Sequence, residues 1–255
     1  MSCKYNNYLC DVKALIFAAG LGTRLGPITK DIPKALVPVG GEPMLGRVLR
    51  KLQAAGFCDV VVTACYKADK IERWLADNPF PGMHIQLSVE PGPEPFETGG
   101  GIKFARSLLE GGEPFLVHNV DILSDADLAA FAASATGGSL ATLLITDPRP
   151  QDNRFFLFRP EDMRLMGWTN TLIGEVRGCV KCAEGLRRMS FCGIHQISPD
   201  IFPLLESWPE RFSITEFYIK EAERYPIYGI PAPGLRIIDI GSPETLSEAE
   251  NYGSR

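Results

Sequence analysis

Short apolar runs alternate with amphipathic segments along the first half of the chain. Residues 13–18 (KALIFA) and 59–64 (DVVVTA) are almost continuously apolar, the pattern of strands buried on both faces of a sheet. Between them, Met44, Leu45, Val48, Leu49 and Leu52 form one helical stripe over 44–55, and Gly56 follows as a stop. The spacing then predicts a helix over 68–76, a strand over 84–89, a helix over 100–109, a strand over 114–118, a helix over 128–135 and a strand over 140–146. This βαβα rhythm implies an α/β fold, a mostly parallel sheet with helices on both faces.

Beyond Pro148 the texture changes. Residues 154–159, 164–168 and 190–197 read as shorter, less regular strands of the kind found in antiparallel sheets. Helices are expected over 199–206 and 214–223, the second with Ser213 and Glu216 at the spacing of a capping box. A strand over 236–240 and a helix over 243–251 close the pattern. There is no internal repeat or low-complexity linker, so the simplest division is one domain over 13–255 after a 12-residue N-terminal extension.

Composition narrows the classes. The 255 residues include 26 Lys+Arg and 31 Asp+Glu, a net charge of −5, with no basic block. A nucleic-acid binder is disfavoured, whereas a nucleotide held by a few cations and backbone amides is compatible. No run of 18 apolar residues suggests a membrane span, and residues 1–12 lack the apolar core of a signal peptide. The seven scattered cysteines then suit a reducing cytoplasm. Cys179, Cys182, Cys192 and His195 have the look of a zinc set. Cys192 and His195 lie three apart on an expected strand, however, and would point to opposite faces.

The informative segment is Ala18-Ala19-Gly20-Leu21-Gly22-Thr23-Arg24-Leu25-Gly26, directly after a buried strand. Small residues let backbone N–H groups approach an anion. The segment lacks the Gly-Lys-Ser/Thr ending of a P-loop and the third glycine of a dinucleotide fingerprint. It is followed by Pro33-Lys34-Ala-Leu-Val-Pro38-Val39, which sets a lysine in a stiff stretch ten residues after Arg24. An arginine fork, a lysine point charge and open amides, at the carboxyl end of the first strand, suit a polyphosphate.

These two segments together resemble the signature of the sugar-1-phosphate nucleotidylyltransferases, the nucleotide-sugar pyrophosphorylases. Three later motifs extend the resemblance: Glu97-Thr98-Gly99-Gly100-Gly101, Phe115-Leu-Val-His-Asn119-Val-Asp121, and Ile238-Asp239-Ile240-Gly241-Ser242-Pro243-Glu244. The short length and the Glu-Thr-Gly-Gly-Gly form are most similar to bacterial N-acetylmuramate-1-phosphate uridylyltransferases, then to short mannose-1-phosphate guanylyltransferases. The resemblance implies a single Rossmann-like three-layer domain of the nucleotide-diphospho-sugar transferase type, with a mixed, mostly parallel central sheet and a smaller sugar-binding β subregion. Residues 13–147 would form the nucleotide half and 148–255 the sugar-phosphate half.

The resemblance also implies roles. Arg24, Lys34 and Asp121 would be catalytic. Ala18, Ala19, Gly20, Gly22, Thr23, Arg24, Lys34, Glu97 and Gly100 would bind the nucleotide. Asn119, Asn170, Glu175, Arg177 and Gly193 would bind the sugar phosphate, with Trp168 a further sugar contact or a core residue. Asp121 and Asp239 would hold Mg²⁺. The substrates would be an NTP, UTP before GTP, and a sugar 1-phosphate, with no nucleic acid or membrane involved. Two departures stand out: Val120 precedes Asp121 where the family has a small residue, and the Glu-Lys pair for the sugar phosphate is absent, with Arg177 near its place. They leave room for a catalytically silent nucleotide-sugar-binding subunit; a phosphocholine-type cytidylyltransferase, which uses the same nucleotide half, is the further alternative.

Overall fold

A computed structural model describes residues 9–134 and 137–250. In chain order the elements begin with β1 (Lys13–Phe17), two 3₁₀ turns (Thr23–Thr29 and Lys34–Leu36), β2 (Pro38–Val39), β3 (Glu42–Pro43), α1 (Met44–Ala55), β4 (Asp59–Ala64), α2 (Ala68–Asp77) and β5 (His84–Val89). They continue with α3 (Glu97–Phe104), α4 (Arg106–Leu109), β6 (Phe115–Asn119), β7 (Ile122–Ser124), α5 (Leu128–Ala133), β8 (Ala141–Thr146), β9 (Arg154–Phe158), β10 (Leu165–Asn170) and β11 (Glu175–Gly178). The last are β12 (Arg187–Ile197), α6 (Ile201–Leu205), α7 (Ile214–Glu221), β13 (Ile227–Pro231), β14 (Ile237–Asp239) and α8 (Pro243–Ala249).

One mixed sheet runs β11-β10-β9-β12-β6-β1-β4-β5, with β8 pairing β12 and β13 pairing β8. Its centre is parallel, with Leu15 of β1 opposite both Val61 of β4 and Val117 of β6. Strand β12 reverses direction beside β6 and carries β9, β10 and β11 as an antiparallel extension. The apolar strands separate two buried layers. Ile16, Val60, Val62 and the inner face of α1 lie on one side, and Leu15, Val61, Ile102, Phe217 and Tyr218 on the other. The fold is therefore the three-layer α/β sandwich that the rhythm implies.

The differences have local causes. Strand β13 escapes sequence reading because Gly229 and Pro231 interrupt its apolar run, yet a Cβ at Gly229 would lie 2.4 Å from Ile145 Cδ1, so the glycine is there for packing. Helix α3 starts at Glu97 rather than 100 and stops at Phe104, with α4 following, because its three glycines serve helix packing rather than a turn. Ser213 caps Thr215 N–H, but Glu216 reaches Arg177 instead of closing the expected box; the capping box occurs at Ser242 and Thr245. Residues 1–8 of the expected extension, Ala135, and Asn251 at the end of the last expected helix lie outside the described residues. Leu9 and Val12 are buried in the core, so the described part of the extension belongs to the domain.

The cysteines also depart from a set of free thiols. Cys10 and Cys58 are joined as a disulfide, since the turn before β1 passes beside the start of β4. Cys192 is packed on the α1 face of the sheet, whereas His195 bonds Tyr218 on the other face at 2.7 Å, so the two diverge as their spacing implies. No helix among the described residues is long and apolar enough to cross a membrane.

Candidate active site

A cavity of about 410 Å³ opens at the carboxyl ends of β1, β4 and β6. Ala18, Ala19, Gly20, Gly22, Thr23, Arg24 and Lys34 form one wall, and Asn119 and Asp121 the floor. The loop is shaped by Gly22, whose φ of 67° lies in the left-handed region; a Cβ there would stand 2.9 Å from Thr29 Cγ2. Thr29 Oγ1 donates to the Gly22 carbonyl at 2.9 Å and locks the turn. Ala18 N–H is spent on Thr63 Oγ1 at 3.1 Å. The N–H groups of Ala19, Gly20 and Gly22 bond no described residue, which leaves three donors for an anion.

The cations are placed differently. Arg24 is exposed, forms no ion pair among the described residues, and lies flat against the backbone of Gly241. Lys34 is only 8% exposed. It follows Pro33, whose extended ψ of 150° turns the chain into the second 3₁₀ turn. Its ammonium pairs with Asp121.

Asp121 and Asp239 come together through a two-stranded ribbon. Strands β7 and β14 are antiparallel with Ile122 opposite Asp239, and Ile240 N–H donates to the Asp121 carbonyl at 3.0 Å. Burial and the neighbouring Asp121 charge hold the Asp239 carboxyl above its usual range, against the pull of Lys34 and Arg24. Its Oδ1 is buried with no hydrogen-bond partner. An orphaned carboxylate oxygen beside a second carboxylate is the donor set of a hard divalent cation, with the remaining positions left to phosphate and water oxygens. The described residues include no cluster of three His, Cys, Asp or Glu side chains, so a resident ion held by protein alone does not fit.

Glu90 was not expected from the sequence. It follows β5, lines the cavity and is 3% exposed, with Oε2 accepting Phe96 N–H at 2.7 Å. Burial raises its carboxyl above the ordinary range. The available signal was an acid between a strand and the Pro91-Gly-Pro93 turn, which reads equally as a solvated loop residue. Glu97 and Thr98 also line this end. Glu97 is exposed, pairs with Arg211, and sits at φ 62°. Gly100 is placed otherwise: a Cβ there would strike the Glu210 carbonyl at 2.1 Å, so it serves the contact between α3 and residues 210–212 and does not line the cavity.

The expected sugar-phosphate residues are partly gathered. Gly193 sits at φ 69° where β12 is irregular against β8, and a Cβ would lie 2.9 Å from Asn119 Nδ2; it therefore lets Asn119 reach the cavity floor. Asn170 instead supports a turn, accepting Leu172 N–H at 3.1 Å. Arg177 is held by Glu216, stacks over Trp168 at 5.6 Å, and has Glu175 at 4.0 Å. None of Asn170, Glu175 and Arg177 lines the main cavity. Trp168 lines a second cavity of about 320 Å³, which shares Ser213 with the first.

Residues 13–155 match the family model described as nucleotidyl transferase. The chain is 36% identical over 94% of its length to an N-acetylmuramate alpha-1-phosphate uridylyltransferase of Neisseria meningitidis serogroup B, and covers 97% of that protein. A protein of the same name from Caulobacter vibrioides is 30% identical, with 93% of this chain and 95% of that one covered. Among solved structures, HddC from Yersinia pseudotuberculosis complexed with GMP-PN superposes with a TM-score of 0.74 at 24% identity, over 94% of this chain and 99% of that one. That likeness speaks for the fold.

Proposed function

Because the chain belongs to the nucleotidyl transferase family, we propose that the cavity transfers a nucleotidyl group from an NTP to a sugar 1-phosphate, releasing pyrophosphate. The observation that carries this reading is the convergence of Arg24, Lys34, Asp121 and the open amides of Ala19, Gly20 and Gly22 on one cavity. The acceptor phosphate is largely dianionic near neutral pH, its second pKa being about 6, so no general base is needed. The difficulty is to hold two polyanions together and to stabilise the departing pyrophosphate, which is electrostatic work.

Arg24 and the loop amides bind the β- and γ-phosphates and then the pyrophosphate. Lys34 leaves Asp121 to meet the α-phosphate. Asp121 and Asp239 would hold Mg²⁺, which when bound supplies charge neutralisation for the phosphates. Asn119 orients the acceptor phosphate over Gly193. Glu90, Glu97 and Thr98 border the base. The two nearly full-length uridylyltransferase relatives support UTP as donor and N-acetylmuramate 1-phosphate as acceptor.

The test is release of pyrophosphate from UTP or GTP with Mg²⁺ and a panel of sugar 1-phosphates. UTP with an N-acetylated sugar phosphate should turn over fastest, and Lys34→Ala should lower kcat/KM by roughly 100-fold or more, the scale of losing one preorganised charge at a developing anion. Absence of pyrophosphate with every pair would overturn the reading, and tight NDP-sugar binding without turnover would replace it with a silent binding subunit.

A further inference from the structure

The acceptor side of the reaction proposed above holds a second feature. The 320 Å³ cavity adjoins the first across Ser213 and has aromatic walls in Phe156, Trp168 and Phe191. Such faces suit the C–H surfaces of a pyranose ring. A sugar whose 1-phosphate lies over Asn119 has this adjoining space to enter.

The charges around that space are nearly all accounted for. Arg149 holds Asp152 through two bonds of 2.9 and 3.0 Å, and Asp152 also takes Ser190 Oγ–H. Glu216 is held by Arg177. Arg154, the first residue of β9, lines the cavity, is exposed, and its side chain forms no ion pair or hydrogen bond with any described residue. Arg154 is therefore the one charged side chain of this lining without a partner among the described residues. In the reaction proposed above the acceptor's phosphate lies over Asn119 in the other cavity, which leaves Arg154 to another group of the sugar.

We propose that Arg154 is a specificity-determining residue that reads a carboxylate borne by the acceptor sugar. The guanidinium fork matches a carboxylate in two hydrogen bonds, and Arg154 makes carboxylated sugar 1-phosphates preferred over neutral ones of the same ring. The inference rests on the transfer reaction and adds a substrate class and a residue to it.

The experiment compares N-acetylmuramate 1-phosphate with N-acetylglucosamine 1-phosphate, which differ in one lactyl ether and its carboxylate. Wild-type protein should favour the first. Arg154→Gln should lose roughly 10- to 100-fold in kcat/KM with it, mainly through KM, the scale of a charge-assisted hydrogen-bonded pair. The same variant should change less than about twofold with the neutral acceptor, and Arg154→Lys should recover part of the loss. Equal preference by the wild type, or equal effects of Arg154→Gln on both acceptors, would overturn the assignment while leaving the transfer reaction intact. No pyrophosphate from either acceptor with wild-type protein would remove both. An unchanged thermal midpoint in Arg154→Gln, expected for an exposed strand-end residue, separates lost recognition from lost fold.

Discussion

Gly241 has no side chain where Arg24 needs the room: a Cβ would stand 2.6 Å from Arg24 Nη2. Gly241→Ala should push the guanidinium off its seat and raise the KM for NTP by roughly 10-fold or more, the scale of a misplaced charge-assisted contact. In an Arg24→Ala background the same change should add almost nothing, so a double-mutant cycle in kcat/KM checks the coupling. Asp239 shows the opposite trade. Its carboxyl is buried beside Asp121 and held above its usual range, so ionisation at neutral pH costs folding stability, and the cost fades as pH falls into the carboxylate range. Asp239→Asn should raise the thermal midpoint of the Mg²⁺-free protein at pH 7 and abolish pyrophosphate release. A lowered midpoint would show that attraction to Lys34 and Arg24 outweighs the repulsion.

Elements show what the sequence could and could not tell. Strands β1, β4 and β5 and helix α1 were legible because their burial is set by their own periodicity. The glycine loop and Lys34 were legible because their geometry is local to one crossover. Gly99 and Gly100 were not, because the reason for them lies over a hundred residues away. Gly99 faces the Phe212 ring at 2.2 Å from its would-be Cβ, and Gly99 N–H donates to Phe212 O at 2.9 Å. Gly99→Ala should therefore destabilise the fold by about 1–3 kcal/mol, as overpacking does. Urea unfolding would measure this, and Phe212→Leu should restore part of it. Arg177 stands away from the main cavity for a similar reason. Its partner Glu216 looked like half of a helix cap, and only the packing of α7 against β10 and β11 brings the two together. Glu90 carried no periodic or motif signal at all.

At the scale of the molecule, two histidines are sealed in opposite layers of the sheet. Burial lowers His118 to about 4 and His195 to about 3. An unfolded chain titrates them near 6.5, so it takes up protons that the folded protein refuses until far lower pH. Their contribution is complete above about pH 6.5 and declines as pH falls toward the folded values, by up to roughly 1.4 kcal/mol per unit and histidine. The urea midpoint should drop steadily from pH 7 to pH 5, a window above the ordinary carboxylates. A flat midpoint would mean that the buried imidazoles are protonated in the folded state. The Cys10–Cys58 bond spans 48 residues, and loop-closure arithmetic assigns such a bridge about 4 kcal/mol at most. Dithiothreitol should lower the thermal midpoint by several degrees, and leave it unchanged in Cys10→Ser/Cys58→Ser protein.

The ribbon of β7 and β14 has a consequence for the order in which competence arises. Strands β1, β4, β5, β6 and β8 are all complete by residue 146, while Asp239 is among the last residues of the described chain. A chain made from its N-terminus thus owns the glycine loop, Lys34 and Asp121 well before it owns the second carboxylate. Under the proposed roles competence waits for β14, so cleavage between residues 232 and 236 that releases this strand should abolish pyrophosphate release.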